Sequence, residues 1–118
     1  MIYEHPGTPT IQLFTKKGCT LCDKVKDVLQ DPDVPSHSLE QVDITDDNHQ
    51  EYFDKYQYDI PVLHLEGAYW TKHRLTVAEA VAALEDVQRG KFVEQEGEPN
   101  AAAAMEATEE QRQQNKSM

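Results

Sequence analysis

The stretch FTKKGCTLCDKVKDVL, residues 14–29, places two cysteines where one periodicity gives way to another. Upstream, Thr10-Ile11-Gln12-Leu13-Phe14-Thr15 alternates in the manner of a strand. Lys16-Lys17-Gly18 makes the turn. Downstream, Leu21, Val25, Val28 and Leu29 recur at helical spacing, which predicts a helix over about Thr20 to Gln30 with these four on its apolar face. Asp31-Pro32-Asp33 and Pro35 stop it. Cys19 and Cys22, the only cysteines in the chain, therefore sit in the first turn of a helix that directly follows a strand.

The elements further on complete an α/β order. Ser38 to Ile44 reads as a second strand, with Val42 and Ile44 facing one side and Leu39 out of phase, as a bulge or a late start would leave it. Thr45 or Asp46 caps a helix through Tyr52, Phe53 and Tyr56. Pro61-Val62-Leu63-His64-Leu65 is a third strand, Glu66-Gly67 a tight turn, and Ala68 to Arg74 a fourth strand, together a hairpin. Thr76-Val77-Ala78-Glu79 is a capping box for a last helix that carries Val77, Ala80, Val81, Leu84 and Val87 on one face and ends at Gly90. The order β-α-β-α-β-β-α predicts a four-stranded mixed sheet with helices on both faces, its first two strands parallel and its last two an antiparallel hairpin.

Totals bound the function. The chain has 118 residues, 38% of them hydrophobic, and a mean hydropathy of −0.74. The polar excess is concentrated at the end. From Glu94 the sequence EQEGEPNAAAAMEATEEQRQQNKSM holds no aromatic or branched aliphatic residue, so it has almost nothing to bury. The expected division is a short extension over 1–9, a domain over 10–93 and an acidic, disordered tail over 94–118. The net charge is −11, and the expected domain with its extension keeps −7 of it, from sixteen acidic and nine basic residues. Such a surface repels nucleic acid and anionic lipid. The opening MIYEHPGTPT has neither the apolar run of a signal peptide nor the Arg-rich amphipathic pattern of a transit peptide, and no stretch has the length of a membrane span. The expected compartment is the cytoplasm, with mitochondria left open, and in either a cysteine pair is seldom a structural staple.

Three chemistries compete for Cys19 and Cys22. As a staple they close a four-residue loop, the case in which loop-closure entropy contributes least. As half of a zinc site they need two more ligands, and none of His5, His37, His49, His64 and His73 stands at H-x3-5-H spacing from another. A metal is not expected within one chain, while a cluster shared between two chains stays open. As a dithiol they are well placed. The free N–H groups of the first turn point toward Cys19 and favour its anion, Lys16 and Lys17 add positive charge nearby, and Asp23 opposes ionisation at Cys22. This reading makes Cys19 the exposed nucleophile and Cys22 the buried resolving thiol. Ile60-Pro61 opens the third strand, where proline cannot serve as a sheet donor. A trans bond is the commoner state; a cis bond would expose the Ile60 backbone beside the cysteines for pairing with an extended peptide.

With these elements in this order the chain resembles a glutaredoxin of the thioredoxin-like superfamily. FTKKGCTLC is similar to that family's aromatic-x-Lys-x-x-Cys-x-x-Cys opening, VDIT at 42–45 to the end of its second strand, and YDIPVLHLEG at 58–67 to its proline strand and turn. The likeness spans roughly residues 10–90 and is nearest to a glutaredoxin-like branch carrying a KYxYDIPVL stretch. It implies a thioredoxin-like three-layer α/β/α fold, a cis bond at Pro61, and a role for Lys16, Ile60 and Pro61 in holding glutathione or a substrate peptide. Two departures stand out. Thr20-Leu21 replaces the usual Pro-Tyr or Pro-Phe between the cysteines, and Thr71-Lys72-His73-Arg74-Leu75-Thr76-Val77 lacks the Gly-Gly and Asp that bind one end of glutathione. Arg74 or His73 is the available partner for a carboxylate there.

The expected function is a monomeric thiol-disulfide oxidoreductase that uses Cys19 and Cys22 to reduce protein disulfides or glutathione mixed disulfides. Glutathione or a flavoprotein reductase would reset the pair. The alternatives are an iron–sulfur carrier, as a dimer bridged through Cys19 and glutathione, and a thioredoxin-fold binding module without redox chemistry.

Overall fold

A period-two reading of a strand assumes that one face is buried and the other wet. Here both faces are buried, which explains most of what the sequence leaves ambiguous. The computed structural model describes residues 2–101. Along the chain it contains β1 (Thr10–Thr15), α1 (Thr20–Leu29), β2 (Ser38–Asp43), a 3-10 turn (Asp47–His49) leading into α2 (Gln50–Tyr56), β3 (Val62–Leu65), β4 (Ala68–Lys72) and α3 (Val77–Gln88). The strands form one sheet in the order β2-β1-β3-β4, with β1 parallel to β2 and antiparallel to β3, and β3 antiparallel to β4. This is the mixed, three-layer arrangement of a thioredoxin-like fold.

Alternation along β1 divides the core in two. Ile11 and Leu13 join Leu63 and Leu65 beneath Val25 and Leu29 of α1 and Ala80, Ala83 and Leu84 of α3. Phe14 joins Val42, Val62 and Tyr69 beneath Tyr56 of α2. Each large aliphatic side chain fully buried in this way contributes ~1.5–3 kcal/mol. Leu39 belongs to the first layer and Val42 and Ile44 to the second, so their phases differ with no bulge in β2; the register Ile11↔Leu39 to Thr15↔Asp43 is regular. The irregularity lies instead in β4. His64 pairs with Tyr69 and Leu63 with Thr71, which leaves Trp70 as the extra residue, turned into the first core.

Local chemistry fixes the ends of the elements. Glu66 and Gly67 both have positive φ, 52° and 81°, between the paired residues Leu65 and Ala68, the primed two-residue turn that suits strand twist. Thr76 and Glu79 form the full capping box at the start of α3. β4 stops at Lys72, short of the expected Arg74, because His73 takes the left-handed region at φ 73°. There the Arg74 N–H donates to the Lys72 carbonyl at 2.9 Å, a γ-turn. His64 and His73 do not face one another across the hairpin: His64 lies opposite Tyr69, and the His73 N–H reaches the Pro61 carbonyl.

The chain's terminal segments border the sheet. Tyr3 bridges to Leu39 on the outer edge of β2, and its hydroxyl bonds to buried His37. At the other edge the Gln95 N–H donates to the Tyr69 carbonyl at 2.9 Å. Three residues on, the Glu98 carboxylate sits beside Tyr56, His64 and Lys55. The expected solvated tail thus holds contacts over its described part, residues 94–101, and it does so through polar groups rather than the apolar ones whose absence suggested otherwise. The rest of that expected tail, 102–118, lies outside the described residues.

Candidate active site

One end of the sheet collects the residues that the sequence singles out. The register Phe14↔Val62, continued by one residue, sets Thr15 opposite Pro61, and Val62↔Lys72 sets His73 beside the same proline. The loop from β1 into α1, the entry to β3 and the turn after β4 therefore emerge together. The Ile60–Pro61 bond is cis, as the resemblance implies.

Cys19 is the N-cap of α1, with extended backbone at φ −80° and ψ 102°, and its sulfur accepts the backbone N–H of Cys22 at 3.2 Å. An N-cap acceptor of this kind satisfies one of the donors a helix leaves open, and it does so best when it carries negative charge. Gly18 enters the cap at φ +80°, a conformation that side chains disfavour. The Cys19 N–H is tied back to the Lys16 carbonyl at 3.4 Å. The two cysteines are joined as a disulfide, with their α-carbons 5.3 Å apart. Their settings differ sharply: Cys22 is 1% exposed, on the buried stripe of α1 with Val25 and Leu29, while Cys19 is half-buried.

The remaining expected site residues are at the same end. Lys16 is exposed on the β1–α1 loop, and among the described residues its ammonium makes no ion pair. Lys17 lies close enough to Asp43 to help hold that carboxyl below its usual range, behind the hydrogen bonds from Thr45. Ile60 is half-buried, and among the described residues its backbone N–H and carbonyl have no hydrogen-bond partner. Arg74 is exposed beside the γ-turn. Asp23, next to Cys22 in the chain, points outward and sits 3.7 Å from Lys26.

Two features escape a sequence reading. Asp59 ties the approach to Pro61 to the turn after β4, with its carboxylate 3.3 Å from Lys72 Nζ and 3.4 Å from His73 Nε2. The second is Leu21. Helical periodicity puts it on the apolar face, yet it is 44% exposed, and Cys22, Val25 and Leu29 form the buried stripe instead. Counting from Cys19 as the cap would have shown this, since a buried Cys22 turns Leu21 away. Leu21 instead borders a groove of about 260 Å³ between α1 and the turn at His73 to Leu75. Among the described residues no group of three or more His, Cys, Asp or Glu side chains is arranged to hold a metal ion, and no helix is long and apolar enough to cross a membrane.

A thioredoxin-like sheet with Cys-x-x-Cys capping its first helix and a cis proline at the facing strand defines a class of proteins with redox roles. Comparison with known proteins narrows the class. Residues 10–85 match the family described as Glutaredoxin-like domain (DUF836), and the chain belongs to that family. It is also 30% identical over 93 residues, 75% of this chain and 86% of the relative, to the glutaredoxin-like protein YDR286C homolog of Dictyostelium discoideum. Family and cysteine pair together support a thioredoxin-like redox role.

Proposed function

We propose that the protein is a thiol-disulfide oxidoreductase in which Cys19 attacks and Cys22 resolves. The observation that carries this reading is the asymmetry of the pair. The Cys19 sulfur is reachable and receives the Cys22 N–H, whereas the Cys22 sulfur is enclosed. In the dithiol state the same N–H and the first turn of α1 stabilise a thiolate on Cys19.

The reaction balances without a further component until the reset. The Cys19 thiolate attacks one sulfur of a substrate disulfide, forming a mixed disulfide and expelling the other substrate sulfur as a thiolate, which takes up a proton. Cys22 loses its proton and attacks Cys19 Sγ, breaking the mixed disulfide and releasing the second substrate thiol. The protein has then given two electrons to the substrate, whose two sulfurs take up one proton released by Cys22 and one from solvent. Two glutathione thiols, oxidised to glutathione disulfide, or the dithiol of a flavoprotein reductase restore it. The open Ile60 N–H and carbonyl suit an extended substrate segment, which would pair with them as an added strand next to the reacting sulfur. Lys16 and Arg74 supply cationic partners for substrate carboxylates.

The test is reduction of a peptide disulfide by the pre-reduced protein. The wild type should reduce it, Cys19→Ser should abolish the reaction, and Cys22→Ser should accumulate one equivalent of mixed disulfide on Cys19, seen by mass spectrometry. Reduction that survives Cys19→Ser, or a trapped adduct on Cys22 alone, would overturn the assignment.

A further inference from the structure

A groove runs between α1 and the turn after β4. On the α1 side it is bordered by Leu21, Lys24 and Val28, and on the other by His73, Arg74 and Leu75. Its floor is apolar and its rim cationic, on a chain of net charge −11. Among the described residues neither Lys24 nor Arg74 has an ion-pair partner. Leu21 stands in the first turn of α1, the turn that Cys19 caps, and forms part of the groove's wall, so the groove opens off the turn that carries the reacting sulfur.

Size and polarity indicate what fills it. At about 260 Å³ it falls below the ~300–1,000 Å³ of sites that enclose whole small molecules, and suits one or two side chains. Glutathione brings carboxylates, amides and an ammonium, but no apolar side chain for the floor. A polypeptide with a large aliphatic or aromatic residue near its cysteine and an acid close by matches both floor and rim. The turn that carries His73 and Arg74 is fixed by Asp59 and by the Pro61 carbonyl, so the groove is preformed rather than built by the occupant.

We infer that this groove is a specificity site, selecting polypeptide disulfides whose cysteine is flanked by a bulky apolar residue and an acidic one, in preference to glutathione mixed disulfides. The inference rests on the oxidoreductase reading above. It assigns Leu21 and Arg74 the discrimination: Leu21 by apolar contact, Arg74 by pairing with the acid.

The test uses pre-reduced full-length protein in single turnover, so no recycling reductant enters. Four probes are compared, each joined through its cysteine to mercaptoethanol: a peptide with Leu and Glu beside the cysteine, one with Leu and Lys, one with Gly at both places, and glutathione. The Leu/Glu peptide should react about tenfold faster than the Gly peptide and than glutathione at limiting concentration. Leu21→Gln should remove most of the preference for Leu over Gly, and Arg74→Glu should invert the order of the Glu and Lys peptides. Both residues are exposed enough for the variants to fold, which circular dichroism checks. Equal rates for the three peptides, or a preference for glutathione, would overturn the groove's role while leaving the oxidoreductase reading intact. Failure to reduce any probe would remove that reading, and this inference with it.

Discussion

Tyr56 donates a 2.6 Å hydrogen bond to the carboxylate of Glu98, forty-two residues further along the chain. The same hydroxyl lies 3.0 Å from His64 Nε2, so one oxygen donates to the carboxylate and accepts from the imidazole. Burial first, and then the Glu98 carboxylate, push the Tyr56 ionisation well above that of a free phenol, which keeps the proton needed for this bond in place. A segment with little to bury is held here by well-placed polar contacts.

Removing that contact should therefore be felt. Tyr56→Phe leaves Glu98 and His64 without their shared partner and should lower the unfolding free energy by about 1–3 kcal/mol. Ending the chain after Val93 should lower the urea midpoint too. An unchanged midpoint in both variants would show that residues 94–101 contribute nothing to the fold.

Stability should depend on pH in two windows. Burial holds His37 and His64 below the ordinary imidazole value; for His64 the nearby Glu98 charge only partly offsets it. The unfolded chain thus takes up these protons first, and the two histidines' contribution, full above about pH 6.5, declines as the pH falls toward their folded values. Burial pushes Glu98 up, but the Tyr56 hydrogen bond and the charges of Lys55 and His64 outweigh it and bring it below the usual carboxylate range. Its contribution is present above its unfolded value and lost as the pH falls through its folded one. Urea midpoints at about pH 7.5, 5.5 and 3.5 should fall stepwise, and a double variant with glutamine at His37 and His64 should lose most of the upper step. A midpoint that stays level from 7.5 to 5.5 would contradict this.

Gly18→Ala isolates a backbone effect. Nothing lies within 4 Å of where its Cβ would stand, so the penalty comes from φ +80° alone. A loss of about 1–2 kcal/mol is expected, with Asn less costly than Ala because its side chain tolerates this region. Chemical denaturation of the two variants against the wild type decides.

The reduced protein should react unevenly with iodoacetamide. At neutral pH Cys19 should be alkylated well before Cys22, since only the former combines access with an N–H directed at its sulfur. Peptide mapping at short times reads the ratio; equal labelling would show that the cap does not favour one thiol.

How much of this was legible beforehand follows from the kind of signal each feature carries. The order of elements was, because Leu13 and Phe14, the prolines and the Thr76-to-Glu79 box are local patterns with local causes. The cysteine pair was located for the same reason. What sequence periodicity misplaced needs two layers at once: Leu39 looked out of phase only because β2 is buried on both faces, and Leu21 looked buried because four apolar positions fit a helical stripe that needs only three. The contact of Asp59 with His73 and the anchoring of Glu98 join residues 14 and 42 positions apart through side chains that read as ordinary surface charge, and only the folded chain brings them together.

The bridge from Tyr3 to Leu39 and the bond from Gln95 to Tyr69 lie on opposite rims of the sheet. Each interrupts the row of main-chain groups that an outer strand offers to a stranger. Left open, such rows would let two copies of the chain join sheet to sheet. With both rims taken by segments of the same chain, joining of sheets is discouraged there, and among the described residues the Ile60 N–H and carbonyl stay open at the end of the sheet that carries the cysteines.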